Sequence, residues 1–109
     1  MSDIKLGKGD TDDKDCILTL DGLGINLTAY KSVIFRMRQK NNVNYRITIN
    51  CAPGVKTPSE NGGVRIPFTN EHTKIAGEFE GQFIITDSNN KNLTIPLGTK
   101  VSITIYDVV

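Results

Sequence analysis

The chain has few of the residues that carry most enzyme chemistry. Its 109 residues include one histidine, two cysteines and no tryptophan. General acid–base, thiol and zinc chemistry therefore have few candidate side chains. Zero tryptophans and only three tyrosines also disfavour a sugar site, which normally offers aromatic platforms. We expect no enzymatic activity, no catalytic residue, no metal site and no cofactor.

The chain also lacks a strong charge of either sign. Its 13 Lys+Arg and 12 Asp+Glu leave a formal net charge of +1. Nucleic-acid binders normally concentrate positive charge, so we expect no nucleic-acid partner. Every apolar run is short, which argues against a membrane partner or span. Residues Met1–Lys5 lack the apolar core of a secretory signal, so we expect synthesis in a reducing compartment.

The two cysteines, Cys16 and Cys51, are far apart in the chain. In a reducing compartment they are expected to be buried free thiols that pack as small hydrophobic residues. A disulfide is the open alternative, because the sequence does not show whether their Cα atoms come within about 7 Å. Neither has a histidine or second cysteine at metal-ligand spacing.

Alternation of apolar and polar residues is the dominant pattern. It is clear in Ser32–Gln39, Tyr45–Cys51 and Lys100–Tyr106, and Gly, Pro and Asn separate such segments. A period of two places alternate side chains on one face of a strand, and no sustained helical pattern occurs. The sequence therefore predicts an all-β antiparallel sandwich or barrel of about seven to eight short strands. The residues expected to share its core are Phe35, Ile47, Phe83 and Ile103.

Residues 1–15 differ from the rest of the chain. They are polar and acidic, so we predict an extended arm with little core, followed by a β domain over residues 16–109. An edge strand through Ile4 and Leu6 is the alternative. A calcium loop of the EF-hand type starting at Asp10 would need Asp or Asn, then Gly, where Lys14 and Asp15 stand. We therefore expect the arm to bind a partner rather than a metal.

Three arginines form the main basic group. Arg36 and Arg38 fall on the outer face of one predicted strand, and Arg46 falls on the next. Opposite Glu78 and Glu80 they would form a cross-strand ladder of charges. A contact to a protein or a phosphate group is the alternative.

The single histidine, His72, follows Glu71 in a polar stretch over residues 69–76. A histidine beside a carboxylate can act as a base, but the sequence identifies no Ser or Cys nucleophile as its partner. We expect a surface histidine on a loop with one helical turn capped by Thr69.

Several segments occur in an order typical of one family. They are Lys8–Thr11 with Ile17–Asp21, Asn26–Ala29 with Val33–Arg38, Ile75–Phe83, and Leu93–Pro96 with Val101–Ile105. In this order they resemble the N-terminal domain of phage baseplate upper proteins and related small phage structural proteins. Two departures stand out: Tyr30 follows Ala29 without the usual glycine, and Phe79 stands for a tyrosine.

The resemblance implies an immunoglobulin-like β-sandwich that serves as a non-enzymatic virion structural protein, in a baseplate, tail or neck adaptor. It implies location in the virion after synthesis in the host bacterial cytoplasm. The implied partners are other phage structural proteins and further copies of the chain in a homo-oligomer. Because the chain stops soon after its last predicted strand, we expect a stand-alone adaptor, neck or decoration subunit. The alternatives are a capsid decoration or head-fibre attachment protein and a carbohydrate- or cell-surface-binding module.

The candidate partner contacts are charged or terminal residues outside the expected core. Long loops and termini can become ordered on a partner and so enlarge an interface. The segments concerned are Lys8–Asp15, Ala52–Gly63 and Asp107–Val109. The candidate residues are Lys8, Asp10, Asp12, Asp13, Arg36, Arg38, Asp107 and Val109.

Overall fold

The computed structural model describes residues 4–20, 22–53, 57–95 and 101–107. Within them the chain is mostly β, which confirms the predicted all-β class, and the only helices are two single 3₁₀ turns at Leu27–Ala29 and Ser59–Asn61. The described residues contain eleven strands, more than the seven or eight expected. The strands are β1 (Ile4–Gly7), β2 (Asp12–Ile17), β3 (Thr19–Leu20), β4 (Leu23–Gly24), β5 (Tyr30–Gln39), β6 (Asn42–Asn50), β7 (Ala52–Pro53), β8 (Gly63–Phe68), β9 (Gly77–Asp87), β10 (Asn92–Ile95) and β11 (Val101–Tyr106).

The larger sheet has six strands in the order β1-β11-β9-β5-β6, with β10 also pairing with β9. Strand β5 occupies one edge of β9, so β10 and β11 share the other: β10 pairs with its second half and β11 with its first half. Strand β1 runs parallel to β11, while the other pairs in this sheet are antiparallel. The long strands β5 and β9 therefore form the centre of the sheet.

The smaller sheet has three antiparallel strands in the order β2-β8-β7. A further hairpin joins β3 to β4. Pro67 lies one residue before the end of β8, beyond the two residues with which β7 pairs. Because proline donates no backbone hydrogen bond, a position near a strand terminus suits it.

The inner faces of the two sheets share one hydrophobic core. Phe35 lies near its middle, 4.8 Å from Phe83 between ring centroids and edge-on to Phe68 of the smaller sheet at 6.4 Å. Of the residues predicted to share the core, Phe35, Phe83 and Ile103 are fully buried, while Ile47 is half-buried and packs against the cluster. Burying one such side chain contributes about 1.5–3 kcal/mol to folding. The alternation therefore identified the centre of the core.

The prediction of an extended arm with little core is wrong for residues 4–15. Strand β1 belongs to the larger sheet, and its Ile4 and Leu6 are buried against β11. Strand β2 pairs along its whole length with β8. In sequence the stretch resembles a solvated arm because Ile4 and Leu6 are its only apolar side chains, and two residues make a weak pattern. The alternative, an edge strand through Ile4 and Leu6, is the arrangement found.

In the sequence, Cys16, Leu18 and Leu20 alternate with Ile17 and Thr19, which favours one strand with a buried face, but the structure breaks this pattern at Leu18. Leu18 is buried, but Leu20 is 40% exposed and Leu23 is 75% exposed. The Leu18 amide donates to the Gly62 carbonyl, and the Leu18 carbonyl accepts from the Ile25 amide. These bonds interrupt the ladder between β2 and β3, so the following hairpin leaves the core with its leucines exposed.

Candidate functional site

The outer face of the larger sheet brings the three arginines together. We call this surface around Arg36, Arg38 and Arg46 the arginine face. In the strand register, Arg38 lies between Glu80 of β9 and Arg46 of β6, and Arg36 lies beside Gln82. Arg38 Nε donates to Glu80 Oε1 at 2.8 Å. The predicted ladder of charges is thus present at Arg38 and Glu80.

Glu78 does not join this ladder. It is aligned with Thr104 of β11, and its carbonyl accepts from the Lys40 amide in the turn that follows β5. Glu78 therefore lies beyond the end of the arginine-bearing strand. The expectation that both glutamates face the arginines is correct for Glu80 and wrong for Glu78.

A depression of about 300 Å³ lies in the arginine face. Three guanidinium groups and one carboxylate line it, so its lining is net positive. Arg36 is exposed and, in the part of the chain that the structure describes, has no hydrogen-bonding or charged partner. Guanidinium groups bind carboxylates and phosphates through paired hydrogen bonds. The lining residues are Arg36, Met37, Arg38, Arg46, Glu80, Gly81, Gln82, Ile84 and Thr94.

An apolar pair adjoins the arginines. Ile34 of β5 and Ile84 of β9 are aligned across the two strands and are half-buried on the same outer face as Arg36. The sequence places both isoleucines on outward positions but does not indicate that they pair, because the pairing of β5 with β9 is non-local. The arginine face thus combines positive charge with apolar surface.

The acidic residues of β2 divide between its two faces. Asp13 and Asp15 lie on the outer face, where Arg65 Nε donates to Asp15 Oδ1 at 2.9 Å and Arg65 Nη1 lies 3.7 Å from Asp13 Oδ2. Asp12 lies on the other face, 2.9 Å from Lys14 Nζ. The hydrogen bond from Lys14 lowers the pKa of the Asp12 carboxyl. The acidic residues therefore belong to a strand that pairs with β8, and Lys14 and Arg65 balance part of their negative charge.

Lys8 and Asp107 meet at one end of the molecule. Lys8 Nζ lies 4.0 Å from Asp107 Oδ1, and the Lys8 amide donates to the Tyr106 carbonyl. With Glu71 and Lys74 they border an open depression of about 440 Å³. Mixed charges in a wide opening select no particular ligand, so we assign it no binding role.

Asp10 has a structural role in the turn between β1 and β2. Its Oδ2 accepts from the Gly7 amide at 2.9 Å, and its carbonyl accepts from the buried Thr73 hydroxyl at 2.8 Å. These contacts close the turn after β1.

Of the remaining predicted contacts, Val109 lies outside the described residues. So do residues 54–56 of the predicted loop Ala52–Gly63, whose other residues include β7, a 3₁₀ turn and the first residue of β8.

His72 stabilises a turn. Its Nδ1 accepts from the Thr69 amide at 3.0 Å, and its own amide donates to the Thr69 carbonyl at 3.0 Å. Partial burial lowers the pKa of the ring, and the ring lies edge-on to Phe68. Residues 69–76 form turns and bends, so the predicted helical turn is wrong. Because Nδ1 serves as an acceptor, the neutral ring fits this turn.

Both cysteines are free thiols in the structure and are half-buried. Burial raises the pKa of Cys51 to about 12, and the nearby Cys16 adds a smaller rise. The pKa of Cys16 is also raised, first by burial and then by Asp15. Because the thiolate is the nucleophile and the metal-binding form, the raised pKa values of both thiols disfavour thiol chemistry.

In residues 4–20, 22–53, 57–95 and 101–107, no group of three or more His, Cys, Asp or Glu side chains is placed to hold a metal ion. Within the same ranges, no helix has the length and apolar character needed to cross a bilayer.

Comparison with known proteins adds no family assignment. No protein family model matches the chain, and a search of curated proteins finds no matching relative. The function is therefore argued from the surfaces described above and from the resemblance in the order of the sequence segments.

Proposed function

We propose that the chain is a non-enzymatic structural protein of a bacteriophage virion, a baseplate, tail or neck adaptor that assembles through protein–protein contacts. The observation that carries this proposal is the arginine face, where Arg36, Arg38 and Arg46 adjoin the apolar pair of Ile34 and Ile84. Arginine is enriched in protein interfaces, where its planar group binds carboxylates while its stem covers apolar surface. The resemblance to phage baseplate domains supports a virion as the assembly in which the chain takes part.

The chemistry of the depression favours a protein partner over a sugar. None of the described residues that line it is aromatic, whereas guanidinium, amide and hydroxyl groups are all present. Ile84 supplies apolar contact on the same surface. Such a mixture of arginine and aliphatic groups suits acidic and apolar side chains of a neighbouring subunit.

The architecture supports the proposed immunoglobulin-like sandwich. Two sheets cover one core, the central strands β5 and β9 are antiparallel, and the first and last described strands, β1 and β11, are neighbours. The outer face of each sheet is thereby free to contact other subunits. Such a scaffold carries its specificity in its faces and loops.

Quantitative mass spectrometry of purified virions tests the proposal. The phage that encodes the chain is deprived of its own copy and supplied with the wild-type protein, Arg36→Glu or the control Lys91→Glu. We expect the wild type and the control, whose exposed lysine lies in the β9–β10 turn, to be incorporated at a fixed copy number. Arg36→Glu should be incorporated at least about tenfold less, since a reversed charge repels the partner. Absence of the wild-type chain from virions overturns the proposal.

A further inference from the structure

The outer faces of the two sheets carry ladders of matching chemistry. On β5, residues Ile34, Arg36 and Arg38 alternate outward; we call them the β5 ladder. On β2, the residues that alternate outward are Ile17, Asp15 and Asp13; we call them the β2 ladder. Alternate residues of a strand are about 6.6–6.8 Å apart, so both ladders have the same spacing.

The order of chemical types also matches. Each ladder has one isoleucine at its end, first on β5 and last on β2, next to two charges of a single sign, positive on β5 and negative on β2. The two orders therefore match when the docked strands run in opposite directions. When the isoleucines are placed opposite each other, Asp15 faces Arg36 and Asp13 faces Arg38. One alignment thus pairs the apolar residues and both sets of opposite charges.

We infer that the β2 ladder of one copy of this chain docks on the β5 ladder of a second copy. This inference deepens the proposed function by naming one assembly partner, and its role in the virion rests on that function. The occupant is a second copy because the chain itself carries the complementary ladder on an exposed strand. No other segment needs to be invoked.

The exposure of the side chains is suited to docking. Ile17 is 50% exposed on the outer face, so a docked partner has an apolar side chain there to cover. The Asp13 side chain is 54% exposed and is held by Arg65 only at 3.7 Å. Arg36 is exposed as well. A docked copy would therefore cover an apolar residue and give Asp13 and Arg36 closer partners.

The internal ion pairs remain compatible with docking. Arg38 keeps its contact to Glu80, and Arg65 keeps its two hydrogen bonds to Asp15. With Asp13 opposite Arg38, the charges alternate in sign from Glu80 through Arg38 and Asp13 to Arg65. An alternating network holds each charge between partners of opposite sign, which offsets part of the desolvation that docking causes.

The geometry fixes the type of assembly. The two outer faces point away from each other because the two inner faces share the core. A contact between the β2 ladder and the β5 ladder is therefore heterologous. In a docked pair each copy keeps one unoccupied ladder, so a further copy can dock at either end of the pair. Such head-to-tail contacts form a ring when the rotation closes and a filament when it does not.

Two double variants of the purified full chain test this arrangement. Arg36→Gln/Arg38→Gln disables the β5 ladder, and Asp13→Asn/Asp15→Asn disables the β2 ladder. Sedimentation velocity over a range of concentrations, at low salt and at about 0.5 M salt, reports the association. We expect the wild type to form species larger than a dimer that high salt dissociates, and each variant alone to weaken association at least about tenfold. Lys91→Gln, which removes one positive charge outside both ladders, should associate like the wild type.

The mixture of the two variants is the decisive measurement. Each variant keeps the ladder that the other lacks, so an equimolar mixture should form 1:1 dimers and nothing larger. Thermal melting checks that each variant is folded. If Asp13→Asn/Asp15→Asn unfolds because Arg65 loses its partners, Ile17→Lys serves instead as the variant that disables the β2 ladder. The Ile17 side chain is half exposed, and changing it leaves the ion pairs of Arg65 with Asp13 and Asp15 in place.

A wild-type chain that stays monomeric, a wild type that stops at a dimer, or a mixture that remains monomeric overturns this inference. None of these results touches the virion role, which depends on finding the chain in purified particles. Conversely, absence from virions would overturn that role and would leave the inference of self-association untouched.

Discussion

Gly81 and Phe35 fit together across the two central strands of the larger sheet. A Cβ atom added to Gly81 would lie 2.4 Å from Phe35 Cζ and 3.1 Å from the Arg36 carbonyl oxygen. Both residues are buried, and the ring of Phe35 also packs on Phe83 and Phe68. The absence of a side chain at Gly81 thus leaves the space that the ring occupies. Gly81 lies two residues before the predicted core residue Phe83, so a period of two places it inward, and the structure shows why no larger residue is there.

We expect Gly81→Ala to destabilise the protein by about 1–3 kcal/mol, as overpacking of a filled core does. The ring cannot move away cheaply, because two other aromatic rings contact it. Urea unfolding followed by circular dichroism gives the free energy of unfolding. Phe35→Leu in the same background removes the far end of the ring, so the cost of Gly81→Ala should be smaller there, as a double-mutant cycle reports. A cost below about 0.5 kcal/mol in the wild-type background would show that the core yields at this point.

The position of β1 leads to a second expectation, with a matched pair of leucines. Leu6 is 3% exposed in the core, whereas Leu23 is 75% exposed at the β3–β4 hairpin. Leu6→Ala should cost about 2–4 kcal/mol through lost burial and a residual cavity. Leu23→Ala should stay within about 0.5 kcal/mol of the wild type. Equal effects in a denaturant titration would mean that β1 does not contribute to the core.

Cys51 makes stability depend on pH in the alkaline range. Its pKa rises from the ordinary 9.0 to about 12 because burial disfavours the thiolate. The folded state therefore holds this proton more tightly than the unfolded state. The stabilisation is complete below about pH 9 and is lost as pH rises toward 12. Between about pH 8 and pH 10.5, the free energy of unfolding should fall more steeply for the wild type than for Cys51→Ala. Parallel slopes would refute this account.

His72 gives the corresponding expectation in the acidic range. Burial lowers its pKa below 6.5, and Nδ1 accepts a hydrogen bond from the Thr69 amide that protonation removes. The unfolded chain binds the proton more readily, so stability decreases as pH falls from about 6.5 toward the folded-state pKa. Because the chain has one histidine, its ring proton gives a single NMR titration curve. We expect a midpoint below that of the same protein in urea; a midpoint at or above it would contradict the neutral acceptor.

Much of the larger sheet follows from the alternation of residues. In Ser32–Gln39 and in the segment around Phe83, apolar and polar residues alternate long enough to identify both faces of a strand. The pairing of Arg38 with Glu80 was also predicted, because both lie on outward positions of long strands. Glu78 was misplaced because the sequence does not show where β5 ends relative to β9. A shift of one pair of residues changes the neighbour of every side chain on the face.

The sequence by itself determined the β class and the inward residues of the long strands. Each depends on local alternation or on composition, which a strand expresses without knowing its neighbours. Tertiary structure alone decided that Ile4 and Leu6 are buried, because two apolar residues form a core strand only when β11 lies beside them. It alone also placed the β2 ladder and the β5 ladder on opposite outer faces. The physical reason is that strand partners and sheet faces arise from contacts between residues far apart in the chain, and no local pattern encodes them.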